Sequence, residues 1–195
     1  MMIELKDRFK RFETRIQSPD FLQNKGHGNE VRYYIFDYLA KDELSIRERI
    51  EDIRKRNTKG NDRYKLIVFD LYEIMIEILE NKGFLEKCFE LEKGLQKVCT
   101  AVSNLMRVNS LDGLIVEYIK KKITDEAIVL LIGIGKCYPI IRSHTILNNL
   151  HQVVDDVPVI MFYPGIYSGQ DLMLFGEIKD DNYYRAFKFD DWGAQ

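Results

Sequence analysis

Two short apolar runs, Ala127–Ile132 and Val157–Tyr163, frame the clearest pattern in the chain. The first, AIVLLI, is uncharged and rich in β-branched residues, as expected of a strand buried on both faces. Gly133 and Gly135 break it, and Pro139 follows where a first helical turn tolerates proline, its missing N–H being unbonded there anyway. Ile140, Ile141, Leu147 and Leu150 recur at helical spacing until Asp155-Asp156 interrupts them, and the second run closes at Pro164-Gly165. Strand, glycine turn, helix and strand make a βαβ unit, which predicts parallel pairing and a right-handed crossover.

The same patterns extend to both sides. Leu5, Phe9, Phe12 and Ile16 form one apolar helix stripe, ended by Ser18-Pro19-Asp20. Asn24–Glu30 is a glycine-bearing loop with His27 at the surface, and the aromatic-rich Val31–Leu39 reads as a strand. A helix is predicted from about Asp42, with Ser45 and Glu48 as an alternative capping box and Leu39, Ile46, Ile50 and Ile53 as its apolar side. Tyr64–Phe69 is a central strand that enters a helix through Asp70, whose spacing to Glu73 is that of an acidic capping box. From Phe84 to Leu105 apolar residues alternate four and three apart, which predicts one long amphipathic helix packed within the domain, Gly94 notwithstanding. Leu111–Ile123 repeats the pattern and ends in three lysines. After a loop at Ile166–Gln170, the runs Leu172–Ile178 and Tyr183–Phe189 are expected to pair antiparallel at the sheet edge through the turn at Lys179–Asn182. Trp192, in the tail, is expected to dock on the body.

These elements predict a three-layer, Rossmann-like α/β domain with a mostly parallel sheet of about five strands, an antiparallel edge hairpin and extra helices. Its 195 residues suffice for one core, with residues 1–30 as a helical extension and 31–190 as the α/β part. A net charge of -2 gives no whole-molecule pull toward nucleic acid or anionic lipid, leaving only local patches such as Arg47–Arg56 and Lys120–Lys122. In the first, acids interleave with bases, as on a solvated helix face; in the second, lysines suit a helix C-terminus. No apolar run reaches the length of a membrane span, and the start of the chain lacks the apolar centre of a signal peptide. Cys88, Cys99 and Cys137 are odd in number and sit inside apolar patterns, which suits small buried hydrophobes in a reducing cytoplasm.

Chemistry is expected beyond the carboxyl ends of the strands, a rim carrying Asp70, Gly133, Gly135, Lys136, Arg142, His144, Tyr163, Pro164 and Gly165. Glycines before a helix can offer N–H groups to an anion, with Lys136 adding charge. The spacing is neither G-x-x-x-x-G-K-[ST] nor G-x-G-x-x-G, since Tyr138 stands where the third glycine belongs, and no cofactor is indicated. Asp70 is read as a helix cap; as a metal ligand it is a weak candidate, for want of partners that the sequence can place. Arg142 and His144, two apart in a helix, are expected to point in different directions. Ser143 lacks a nucleophile elbow. Asp171, Glu177, Asp180 and Asp181 suit either turn formation or a metal, and spacing does not choose.

Several segments carry a resemblance. GKCYPIIRSHTILNNLH, PVIMFYPGIYSGQDLMLFG and DDNYYRAFKF resemble the C-terminal signatures of the BrxB family, and YYIFDYLAKDEL and KLIVFDLYEI are similar to its N-terminal half. BrxB proteins are small components of bacteriophage exclusion (BREX) defence systems. The resemblance implies a non-enzymatic adaptor in an antiphage assembly that contains a large ATPase, a DNA methyltransferase and the alkaline-phosphatase-like protein PglZ, with PglZ as the expected contact. No catalytic residue comes with it. The matched Arg142, His144, Pro164, Gly165, Asn182, Tyr183, Tyr184 and Arg185 are candidates for a shared surface or a shared core. A nucleotide- or metal-binding enzyme or switch at the rim is the alternative, and nucleic-acid binding through the basic segments a third.

Overall fold

The computed structural model describes residues 4–22, 32–58, 60, 64–90, 94–180 and 185–191. The apolar runs become the strands β1 (Tyr33–Tyr38), β2 (Lys65–Asp70), β3 (Ala127–Ile132) and β4 (Val159–Tyr167). With β7 (Phe187–Lys188) they form one sheet in the order β2-β3-β4-β1-β7, and every neighbouring pair is parallel. Val129 stands opposite Val159 and Leu131 opposite Met161, so the βαβ unit read from the two apolar runs is present as expected.

Strand alternation feeds two cores. Ile35, Val129, Leu131, Val159 and Met161 point to one face, and Phe36, Ile128, Leu130, Ile160 and Phe162 to the other. On the second face α1 (Leu5–Ile16), α2 (Pro19–Leu22) and α3 (Glu43–Thr58) close an aromatic cluster. Phe12 packs edge-on against Phe36 and Phe162 at 5.7 and 5.2 Å, and its ring lies 5.1 Å from Phe189. The first face is covered by α4 (Leu71–Asn81), α5 (Leu85–Glu90), α6 (Leu95–Met106), α7 (Leu114–Lys122), α8 (Ile134–Cys137) and α9 (Ser143–His151). The β1-to-β2 connection runs toward one edge, whereas β2, β3 and β4 step back. Right-handed crossovers therefore place α3 opposite the later helices.

Four details depart from the pattern. The antiparallel hairpin lies within the first C-terminal run: β5 (Leu172–Leu174) pairs with the end of β4 and with β6 (Ile178–Lys179). Phe175 and Gly176, both with positive φ, reverse the chain there. Phe187–Lys188 goes instead to the far edge, parallel to β1, where Phe189 fills the aromatic core. The expected long helix is two helices, because Gly94 takes φ 84°, which no helix continues through. Pro139 lies between α8 and α9, after a cis bond, rather than in a first turn. Ser45 falls inside the first turn of α3 and caps nothing, since that helix starts at Glu43. His27, Asp181, Asn182, Tyr183, Tyr184 and Trp192 lie outside the described residues.

Candidate functional site

The rim is assembled at the carboxyl ends of β2, β3 and β4, and its polar groups hold one another. Asp70 caps α4 as its spacing predicts: Oδ1 accepts from the N–H groups of Tyr72 (3.0 Å) and Glu73 (3.3 Å). Its Oδ2 accepts from Lys136 Nζ at 2.7 Å, so that lysine, expected to add charge to an anion cradle, is engaged by a carboxylate. Gly133, with φ 77°, lies so close that a Cβ there would overlap Asp70 Oδ1. A Cβ on Gly135 would stand 2.8 Å from Pro164 and 3.0 Å from the Phe175 ring; one on Gly165 would meet the Met173 carbonyl. All three glycines serve close packing, and α8 is a single turn.

Arg142 and His144 meet, contrary to the expectation that they diverge. Arg142 precedes α9 in extended conformation (φ −101°, ψ 142°), so the helical i, i+2 geometry does not apply to it. Three consecutive side chains converge on the Asp180 carboxylate at the end of β6. Arg142 Nε and Nη2 donate to Oδ1 at 2.8 and 2.7 Å, His144 Nδ1 lies 2.9 Å from Oδ1, and Ser143 Oγ donates to Oδ2. Burial pushes the Asp180 carboxyl up, but hydrogen bonds from His144 and Ser143 and the charges of His144 and Arg142 outweigh it and hold the group well below the usual carboxylate range. The cavity beside this cluster is about 10 Å³, room for no more than a water. Tyr163 is fully buried next to it, and burial, aided by the Asp180 charge, pushes its hydroxyl up. Arg185 is elsewhere: it precedes β7 at the amino ends of the strands, where burial first, and then the Arg185 charge, depress the pKa of His151.

Sequence reasoning missed a second carboxylate. Asp37, next to last in β1, has only 7% of its surface exposed. Its Oδ1 accepts from Arg8 Nη2 at 3.0 Å, and its Oδ2 from Lys188 Nζ and the Tyr167 N–H, both at 3.0 Å. Arg8 also donates to Asp190 at 2.7 Å, so one carboxylate ties α1, β1, β4 and the C-terminal segment together. The signal was an acid inside the otherwise apolar run YYIFDYL. Above it, between α1 and the strand ends, lies a crevice of about 690 Å³ reached by Arg11 and Lys41, at the place where the strand order reverses. The larger concavity, about 880 Å³, runs along the open edge of β2 between α3 and α4.

Other candidate chemistry is internally engaged. Arg54 pairs with Glu51 at 2.7 Å, Arg56 with Glu13 at 3.0 Å, and Lys121 with Glu117 at 3.7 Å. Cys137 is buried and its thiol is pushed up to about 12, first by burial and then by the Asp70 charge. Among the described residues no group of three or more His, Cys, Asp or Glu side chains is arranged to hold a metal ion, and no helix is long and apolar enough to cross a membrane.

Comparison with known proteins gives the family. A family model described as "BREX protein BrxB" matches residues 67–189, from β2 through Phe189. A BREX protein BrxB from Bacillus cereus (strain H3081.97) is 47% identical over 192 residues, 97% of this chain and all of that protein. The chain belongs to the BrxB family. A second member, from Escherichia coli O9:H4 (strain HS), is 33% identical over 187 residues, 94% of this chain and 90% of its own length. No solved structure matches. As a BrxB protein the chain is a component of a BREX phage-defence system, which bears out the resemblance carried by its segments.

Proposed function

We propose that this BrxB protein is a non-enzymatic adaptor of a cytoplasmic BREX complex, and that it binds the PglZ-like member of that system. Family membership over almost the whole chain carries the reading. The engagement of the rim's polar groups supports it. Asp70 is occupied by Lys136 and its own helix, and Asp180 by Arg142, Ser143 and His144. Groups fixed in this way shape a rigid body for contacts rather than presenting an unpaired acid or base. The ATPase and the methyltransferase are further candidate partners. Co-expression of the tagged chain with its neighbouring defence proteins, followed by pull-down and gel filtration, tests the reading. Stable co-elution with the PglZ-like protein is expected, and no association with any BREX companion would overturn it.

A ligand-binding switch is a second reading, favoured by the crevice above Asp37 at the reversal of strand order. A ligand of the native state must raise the melting temperature. Flat thermal shifts across a panel of nucleotides and divalent metals would remove it.

A further inference from the structure

The central sheet ends at β2, which pairs with β3 alone among the described strands. In a strand, successive residues turn their peptide groups to opposite edges. The Leu66 N–H donates to Asn57 Oδ1 at 2.8 Å and the Tyr64 carbonyl accepts from Asn57 Nδ2 at 2.8 Å, so the even-numbered residues face the open edge. Asn57 thus stands in for the first residue of a missing neighbour. Past it, the Leu66 carbonyl and both peptide groups of Val68 face outward with no strand opposite them among the described residues.

This edge is not a bare flank. Residues 67–70 form the floor of the 880 Å³ groove, with α3 as one wall and α4, Tyr118 and Lys122 as the other. Ile67 and Val68 are half-buried although they lie on the outermost strand, because the helices overhang them. The overhang decides what can enter. A second copy would have to carry its own flanking helices past these walls to bring the two edges together. A single extended segment fits between the walls and reaches the peptide groups. The lining adds a sign: with Asp70 engaged by Lys136 and Glu51 by Arg54, the described lining leaves Glu48, Glu73 and Glu77 against Arg47 and Lys122. Leu44 at the lip is 70% exposed.

The geometry points to this groove as a docking site for an extended segment of a partner protein, added as a new edge strand on β2. Its backbone supplies the hydrogen bonds, its alternate side chains are apolar, and its flanks are basic. The inference rests on the adaptor reading for the identity of the partner, not for the chemistry of the groove.

Two variants and one probe test it. Val68→Pro deletes an outward N–H and trims the packing of a half-buried side chain, but leaves the β3 ladder intact, as proline is tolerated on edge strands. Leu44→Arg changes an exposed lip residue and should keep the fold even if Val68→Pro does not. The probe is a peptide drawn from a phage-displayed random library selected on the full chain. Selected peptides are expected to alternate apolar residues between basic flanks, to slow hydrogen exchange of the Val68 amide at least tenfold, and to lose at least tenfold in affinity with either folded variant. Binders indifferent to both variants, or no binders, would overturn the proposal. So would a wild-type dimer that either variant dissolves, which would assign the edge to a second copy. In the companion pull-down, retention of the PglZ-like protein by both variants would overturn the groove and leave the adaptor standing. Failure of wild type to retain any companion would overturn the adaptor, and the peptide selection would then decide the groove alone.

Discussion

Removing the Asp180 carboxylate with Asp180→Ala should cost the fold about 3 kcal/mol, on the following account. The Ser143 hydroxyl is buried, and without its acceptor it incurs a desolvation penalty of about 1–3 kcal/mol. His144, 16% exposed in its side chain, loses the partner of Nδ1 and adds roughly 1 kcal/mol. Arg142 is 40% exposed, so solvent screens its ion pair and its share is about 0.5 kcal/mol. For a chain of this size 1 kcal/mol shifts the melting temperature by about 2–4 °C, so the variant should melt about 6–12 °C lower by differential scanning fluorimetry. The carboxyl is held below its usual range in the folded state, so it contributes stability above the unfolded value, and that contribution fades as the pH falls. The gap between wild type and Asp180→Asn should therefore shrink as the pH is lowered below about 4, the ordinary value for aspartate. A melting temperature lowered by less than about 2 °C in Asp180→Ala would refute the reasoning.

Two other outcomes test the rim. Gly133→Ala combines a left-handed backbone with a methyl group driven into the Asp70 carboxylate, and should lose about 2–3 kcal/mol in urea titration; a loss under about 0.5 kcal/mol would mean that Asp70 moves aside freely. Cys137 should resist Ellman's reagent at pH 8 in the native chain and react once unfolded, since only the thiolate attacks and burial holds the thiol at about 12; fast native labelling at this residue, located by mass spectrometry, would contradict that burial.

What could be read along the chain was what repeats locally. The continuous apolar run of β3 foretold a strand buried on both faces, the runs of β1 and β4 foretold strands, and the Asp70–Glu73 spacing foretold the cap. Hidden were the pairings that join distant positions. Arg142, Ser143 and His144 converge on a residue 36 to 38 positions away, and Asp37 finds Lys188 151 positions on. Neither link has a periodic signature. The split between α5 and α6 was hidden because the apolar spacing runs on past Gly94, whose positive φ no helix continues through. The hairpin was misplaced because Phe175 adopts a left-handed turn that its residue type does not advertise.

The knot around Asp37 has a consequence for biosynthesis. Arg8 and Lys188, far apart in the chain, grip the same strand end, Asp190 holds Arg8, and Phe189 plugs the aromatic layer that the opening helix roofs. A nascent polypeptide still threaded through the ribosome at residue 185 thus lacks the pieces that cement its first helix. Stalled chains of that length should be nicked by protease within α1, whereas chains whose Lys188–Asp190 segment has left the ribosome should not; the opening helix is locked down only by residues made long after it.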